Sequence, residues 1–297
     1  MSWTRLHAHP CLHALLLACT AAMVSGCQPP ATAPADASAD TADKAAARPG
    51  AYAREHVGDY AVVPLEADLS AFDARGKQMI AKLVQASQVM DDLWWRQSWD
   101  GERDALLERA PDEATRELVL INFGPWDRLN EDTPFIEGVE PRPPGGTFYP
   151  VDMSKAAFEA AKLPDKTSNY TLLRRKDGQL VTVPYHEAYR DDLERAAALL
   201  REAADLSADK SFADYLRMRA DALLTDDFRP SDMAWMEMKT NPVDIVIGPI
   251  ETYEDQLFGY KAAYEGLVLV KDQAWSERLA RFAAFLPALQ QGLPVDD

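Results

Sequence analysis

Two short apolar runs near the C-terminal end place the tightest constraint on the fold. They are "VDIVIGPI" at 243–250 and "GLVLVKD" at 266–272, and their valine and isoleucine content is typical of strands. If the two runs pair antiparallel, the exit of the first and the entry of the second lie at the same end of the ladder. Side chains that follow the first run and precede the second are then near neighbours.

Helical periodicity dominates the rest of the chain, where apolar residues recur at spacings typical of amphipathic helices. The predicted helices are 67–97, 101–121 with a break at Pro111, a short one after Ser154, 186–206, 209–225, 231–239 and 275–291. A β-hairpin that turns at Asp177-Gly178 is predicted within 169–185, and a long loop rich in proline and glycine within 122–150. The fold class is therefore α+β, predominantly helical, with a β-hairpin and a small sheet.

The N-terminal segment has the composition of a leader and a tether. Residues 12–24 form an apolar run that fits a signal peptide and is too short to span a bilayer. The "VSGC" at the end of this run, at 24–27, resembles a bacterial lipobox, so we expect residues 1–26 to be removed and Cys27 to carry the lipid. The alternative is an ordinary signal peptide with a chance cysteine. Residues 27–50 are rich in Ala, Pro and Asp, and we expect a disordered tether before a folded lobe at 51–297. This anchor predicts a bacterial outer-membrane lipoprotein that faces the periplasm.

Charge, cysteine usage and histidine spacing exclude several classes of function. The net charge of -17 argues against a nucleic-acid partner, because phosphate binding requires clustered Lys and Arg. All three cysteines lie within the first 27 residues, so the folded region has no disulfide and no cysteine nucleophile. His186-Glu187 begins like the zinc motif H-E-x-x-H, but Arg190 stands where the second histidine belongs. His56 is the other histidine after the leader, and we expect no metal to be bound by this chain.

Carboxylates cluster between the two apolar runs, at Glu251, Glu254, Asp255 and Glu265. A carboxylate beside buried strands is costly unless a cation pairs with it. The predicted pairing makes Glu251 and Glu265 neighbours, so one pKa rises unless a cation lies between them. The α-ammonium of a peptide, or a lysine, would satisfy both. The alternatives are two unrelated solvated glutamates, or an internal partner such as Lys261.

Several motifs together resemble the dipeptidyl-peptidase III family of zinc metallopeptidases, and more closely its bacterial, often lipoprotein, branch. They are "GTFYPVDM" (146–153), "LLRRKDGQLVTVPYHEAY" (172–189), "SDMAWMEM" (231–238) and "GPIETYEDQLFGYKAAYEGLVLV" (248–270). The resemblance implies the N-terminal lobe of a two-lobed metallopeptidase. It also implies that Glu251, Tyr253 and Glu265 hold the free N-terminus of a peptide substrate.

The sequence departs from the family pattern in two ways. Glu254 stands where the better-known eukaryotic members carry Arg, and the H-E-x-x-x-H zinc motif is missing from the chain. The resemblance therefore implies that zinc belongs to a C-terminal catalytic half, which would be a partner of this one. We expect that half to contact an apolar surface near the strands and the final helix.

Three functions follow as hypotheses. The first is the N-terminal, substrate-anchoring portion of a zinc-dependent dipeptidyl peptidase that acts on short peptides, inactive as this chain alone. The second is a non-catalytic surface lipoprotein that binds peptides or amines in the same acidic site. The third is a structural lipoprotein without a small ligand.

Overall fold

The computed structural model describes residues 49–294. The predicted signal peptide, Cys27 and nearly all of the tether lie outside the described residues. The helices are α1 (Ala51–His56), α2 (Ala74–Ser98), α3 (Arg103–Glu108), α4 (Glu113–Asn122), α5 (Lys155–Ala160), α6 (Tyr185–Ala188), α7 (Arg190–Leu206), α8 (Lys210–Leu223), α9 (Arg229–Glu237), α10 (Gln273–Ala283) and α11 (Leu286–Gln291). No helix within 49–294 combines the length and the apolar content needed to cross a bilayer.

The strands pair within the described residues as separate antiparallel two-stranded sheets. They are β1 (Trp126–Asp127) with β2 (Thr133–Pro134), β3 (Thr171–Lys176) with β4 (Gln179–Pro184), and β5 (Val243–Glu251) with β6 (Ala263–Val270). Helices therefore dominate and the sheets are small. The predicted fold class is confirmed.

The described residues form two compact units. The smaller one comprises 49–66 and 107–140, and the larger one comprises 67–106 and 141–294. In the smaller unit the buried carboxylate of Asp127 accepts hydrogen bonds from the Tyr52 and Tyr60 hydroxyls at 3.0 and 2.7 Å. These bonds tie the N-terminal helix of the unit to the loop around β1, because a buried carboxylate must be satisfied internally.

The larger unit is built around α2, which packs against α7 and β6. Its apolar face supplies the fully buried side chains of Leu83, Met90 and Leu93. Trp94 and Trp95 are each 4% exposed, so they belong to this core rather than to a cleft. The α2 helix begins where the Asp73 side chain accepts a hydrogen bond from the Gly76 backbone N–H.

Local signals in the sequence set several element ends as predicted. Ser154 accepts a hydrogen bond from the Ala157 backbone N–H at the start of α5. Asp177 and Gly178 both have positive φ, at 51° and 76°, which is the geometry that a two-residue hairpin turn requires. The predicted break at Pro111 is confirmed, since α3 ends at Glu108 and α4 begins at Glu113.

Two predicted helices are interrupted. The helix predicted at 186–206 is divided at Tyr189 into α6 and α7. The helix predicted at 275–291 is divided before Pro287, because proline lacks the N–H that would continue the helix through this point. The resulting α10 and α11 contain no buried residue within the described part of the chain.

Helix α2 and strand β6 approach each other backbone to backbone. A β-carbon placed on Gly266 would lie 2.7 Å from the Cα of Ser87 on α2, far inside van der Waals contact. Glycine is therefore required here by space rather than by its backbone angles. This close approach fixes β6 against the main helix of the unit.

Candidate functional site

The β5–β6 ladder brings the predicted carboxylates to one end, as an antiparallel pairing requires. Glu251 is the last residue of β5 and lies opposite Ala263, while Glu265 lies opposite Gly248. A register shift between Pro249 and Glu251 marks an irregularity at this end of the ladder. The β6 strand begins at Ala263, earlier than the apolar run predicted, so Glu265 lies inside the strand rather than before it.

Glu265 has the most perturbed electrostatics of the site. Its pKa is raised to about 7, first by burial and then by the negative charges of Glu251 and Glu254. A side-chain hydrogen bond with Tyr253 partly opposes this rise. The Oε1 atom of Glu265 is buried and has no hydrogen-bond partner among residues 49–294. An unsatisfied buried carboxylate oxygen is costly, and a cationic donor would relieve that cost.

Glu251 and Tyr253 present the exposed part of the same site. The Glu251 side chain is exposed at the end of β5, and Tyr253 is 43% exposed in the loop that follows. A molecule in solvent therefore has access to both groups. Glu265 is half-buried in β6 and shares a side-chain hydrogen bond with Tyr253.

Lys261 does not supply the missing cation. Its ammonium donates to the backbone carbonyls of Lys166 and Ser168, both at 2.7 Å, and to Thr171 Oγ1 at 2.9 Å. The side chain is fully buried, and its three donors are accounted for by these three acceptors. The alternative in which Lys261 pairs with the glutamates is therefore wrong.

The loop between the strands is held by two buried acids whose partners are distant in sequence. Glu254 pairs with Arg142, and Asp255 accepts a hydrogen bond from the Tyr149 hydroxyl at 2.6 Å. Glu254 and Asp255 belong to the acidic cluster predicted from the sequence, whereas their partners Arg142 and Tyr149 were not predicted. No local pattern connects residues separated by more than 100 positions, although Tyr149 does fall within the "GTFYP" motif.

Comparison with known proteins identifies the family. Residues 153–297 match the sequence profile of peptidase family M49. A structure of DPP III from Caldithrix abyssi is 36% identical with a TM-score of 0.77, over 82% of this chain and 48% of that one. A structure of dipeptidyl-peptidase III from Corallococcus sp. strain EGB is 38% identical with a TM-score of 0.75, at the same coverage. The chain is therefore similar to peptidase family M49 over residues 153–297 and to dipeptidyl-peptidase III structures over most of its length. The resemblance seen in the motifs is confirmed at the level of this family.

The chain spans about half the length of the dipeptidyl-peptidase III structures that it matches, at 48% of each. A curated relative, Nudix hydrolase 3 from Arabidopsis thaliana, is 28% identical over 299 residues, which is 80% of this chain and 39% of that protein. The similarity to these longer proteins therefore covers most of this chain but a minor part of each relative.

The M49 family is in general zinc-dependent. Within 49–294 no group of three or more His, Cys, Asp or Glu side chains is arranged to hold a metal ion. His186 Nδ1 lies 2.8 Å from Asp226 Oδ2, and His56 Nδ1 lies 2.9 Å from Asp59 Oδ2. His186 Nε2 also lies 4.0 Å from Glu187 Oε1, but neither imidazole belongs to a group of three possible ligands within 49–294, so this part of the chain does not fit the zinc of the family.

Proposed function

We propose that this chain is the substrate-anchoring portion of a dipeptidyl peptidase of family M49, in which Glu251, Tyr253 and Glu265 bind the α-ammonium of a short peptide. The observation that carries the proposal is Glu265, whose buried Oε1 has no partner among the described residues and whose pKa is raised to about 7. A carboxylate in this state gains most from a cationic donor that arrives with a ligand.

The chemistry of the three groups suits a primary ammonium. An α-ammonium has three N–H donors, and two carboxylates with a phenol oxygen can accept all three. Its charge offsets the repulsion that Glu251 exerts on Glu265. An acylated N-terminus has neither the charge nor the donors, so the site would select peptides with a free N-terminus.

Anchoring the terminus also fixes which peptide bond is presented for cleavage. A substrate held at one end in an extended conformation places its second peptide bond at a set distance from the anchor, and such positioning is a large part of enzymatic rate enhancement. Zinc, where bound, would activate water and polarise the scissile carbonyl. Glu251, Tyr253 and Glu265 would contribute substrate binding and would determine which peptide bond is presented for cleavage.

The partner and location of this portion are also proposals. An apolar surface, which we call the C-terminal apolar face, is formed by side chains of β6, α10 and α11 that are about half or more exposed: Leu267, Leu269, Trp275, Leu279, Phe282, Phe285, Leu286 and Leu289. Apolar side chains on this scale usually mark an interface. We propose that the remainder of a protein of dipeptidyl-peptidase III length covers this face, and that lipidation of Cys27 attaches the protein to the outer membrane on its periplasmic side.

Calorimetric titration with Ala-Ala-Ala tests the anchoring site. Hydrogen bonds to charged groups contribute about 1.5–3 kcal/mol, so Glu251→Gln and N-acetylation of the peptide should each weaken binding about 10- to 100-fold. Glu194→Gln removes an exposed glutamate on α7 and should leave the affinity unchanged. Equal affinity for the free and the acetylated peptide would rule out ammonium recognition.

The same geometry is compatible with a peptide-binding lipoprotein that performs no chemistry. Turnover of a dipeptidyl-arylamide, measured with bound-zinc analysis, separates the two functions. Turnover by a zinc-loaded protein that contains this chain, lost in Glu251→Gln, would establish the peptidase. Tight peptide binding without turnover in any zinc-loaded form would establish the binding protein.

A further inference from the structure

Glu254 lies inside the molecule although its neighbour Tyr253 faces solvent. Arg142 Nη2 donates to Glu254 Oε2 at 2.7 Å and to the Glu254 backbone carbonyl at 3.3 Å. The two side chains are only 2% and 1% exposed. Arg142 therefore binds both the side chain and the backbone of the residue directly after Tyr253. Buried ion pairs of this kind restrict geometry strongly, because breaking them leaves an unpaired charge.

Asp255 fixes the next part of the same loop. Its carboxylate accepts hydrogen bonds from the backbone N–H groups of Leu257, Phe258, Tyr260 and Lys261 at 2.9–3.2 Å. Together with the Tyr149 hydroxyl bond, these contacts use both carboxylate oxygens. The loop thus closes around one buried acid and cannot slide along the end of the ladder without breaking several bonds at once.

Tyr253 lies in the short part of the loop between the end of β5 and Glu254. The β5 ladder holds Glu251 on one side, and Arg142 holds Glu254 on the other. Tyr253 lies between these fixed points and makes its hydrogen bond with Glu265. The Arg142–Glu254 pair therefore fixes the residue directly after Tyr253, and with it the path of the loop that carries Tyr253 to Glu265.

We propose that Arg142 and Glu254 are positioning residues of the amine site, and that their buried ion pair holds Tyr253 in place beside Glu265 so that the three acceptors converge on one ammonium. The inference rests on the proposed function and extends it to two residues that contact no ligand. It assigns to Arg142, in the proline-rich loop, a role in peptide recognition.

The pair also acts on the site through charge. The groups that influence the ionisation of Glu265 are Glu251, Glu254 and the Tyr253 side chain. Glu254→Gln keeps the size of the side chain but replaces the buried ion pair with a weaker neutral contact to Arg142, and it removes one of these negative charges. The carboxyl of Glu265 should then titrate at lower pH than in the parent chain.

The test uses the full chain with Glu254→Gln and Arg142→Lys, which retains the charge but loses the guanidinium fork. The control is Arg175→Lys, whose partner Asp152 lies in an exposed ion pair. We expect Ala-Ala-Ala to bind about tenfold more weakly in both test variants and unchanged in the control, since small displacements of binding groups have effects of this size. Circular dichroism confirms that each variant is folded.

A second readout does not depend on the ligand. Carbon-13 NMR of the Glu265 carboxyl should show a lower titration midpoint in Glu254→Gln, and loss of the Tyr253 contact in Arg142→Lys. Folded variants with parental affinity and a parental Glu265 titration would overturn the inference. If the parent chain fails to bind Ala-Ala-Ala, the proposed function fails, while an altered Glu265 titration would still support the positioning role.

Discussion

The pH dependence of peptide affinity is the sharpest consequence of the site. Binding requires an ionised Glu265, whose pKa is raised to about 7, and a protonated peptide α-amino group, whose pKa is about 7.8. The ionised fraction of Glu265 multiplied by the protonated fraction of the peptide amine is largest near pH 7.4, and this product falls about 20-fold at two pH units on either side. Affinity for Ala-Ala-Ala should therefore follow a bell-shaped curve when measured by calorimetry across this range.

The two limbs of the curve have different origins, and each has its own control. Glu265→Gln should remove the acid limb, because no carboxyl remains at that position to be protonated near neutrality. N-acetylation of the peptide should abolish the alkaline limb together with most of the binding. An acid limb that falls near pH 4.5 in the parent chain would show that Glu265 has an ordinary pKa, and would refute the electrostatic argument for the site.

Three further changes have outcomes that the structure specifies. Because the Glu265 pKa is about 7 in the folded state and 4.5 as a model value, its ionisation opposes folding progressively above pH 4.5 and fully above pH 7. Glu265→Gln should thus raise the free energy of unfolding by about 1–2 kcal/mol near pH 8, after allowance for partial exposure, and leave it unchanged near pH 4 in urea titrations. Gly266→Ala should destabilise the chain by about 1–3 kcal/mol, because the new β-carbon would press on the Ser87 backbone. In the control Gly58→Ala the β-carbon meets nothing within 4 Å, so stability should change little. Equal losses of stability in the two variants would contradict the close packing of β6 on α2. Phe282→Gln, at a side chain that is 70% exposed, should reduce self-association of the chain in sedimentation velocity with little loss of stability, and unaltered association would argue against an uncovered interface.

The sequence predicted correctly those elements that depend on interactions between residues close together in the chain. The hairpin turns at Asp177-Gly178 because these residues accept positive φ, and α5 begins directly after Ser154 because the Ser154 hydroxyl satisfies a free backbone N–H. The break around Pro111 and the antiparallel pairing of the two apolar runs were predicted on the same grounds. Each of these depends on residues that are close in sequence or on a strong composition signal.

The remaining features depend on tertiary contacts that composition does not reveal. The β6 strand begins at Ala263 because the core buries Ala263 and Tyr264, although alanine carries no strand signal. Arg142 meets Glu254 across 112 positions of sequence, so their pairing had no local signature. The carboxylates of the site were predicted, whereas the groups that hold them were visible only in the folded chain.

Within the segment 251–255, residues that could be substituted without loss of the fold alternate with residues on which the fold depends. Glu251 and Tyr253 face solvent, whereas Glu254 and Asp255 are enclosed by partners from elsewhere in the unit. A library of variants restricted to positions 251 and 253 should therefore retain the fold while its members differ in ligand preference. The same loop could then be adapted to guanidinium or secondary-amine ligands without redesign of the scaffold beneath it.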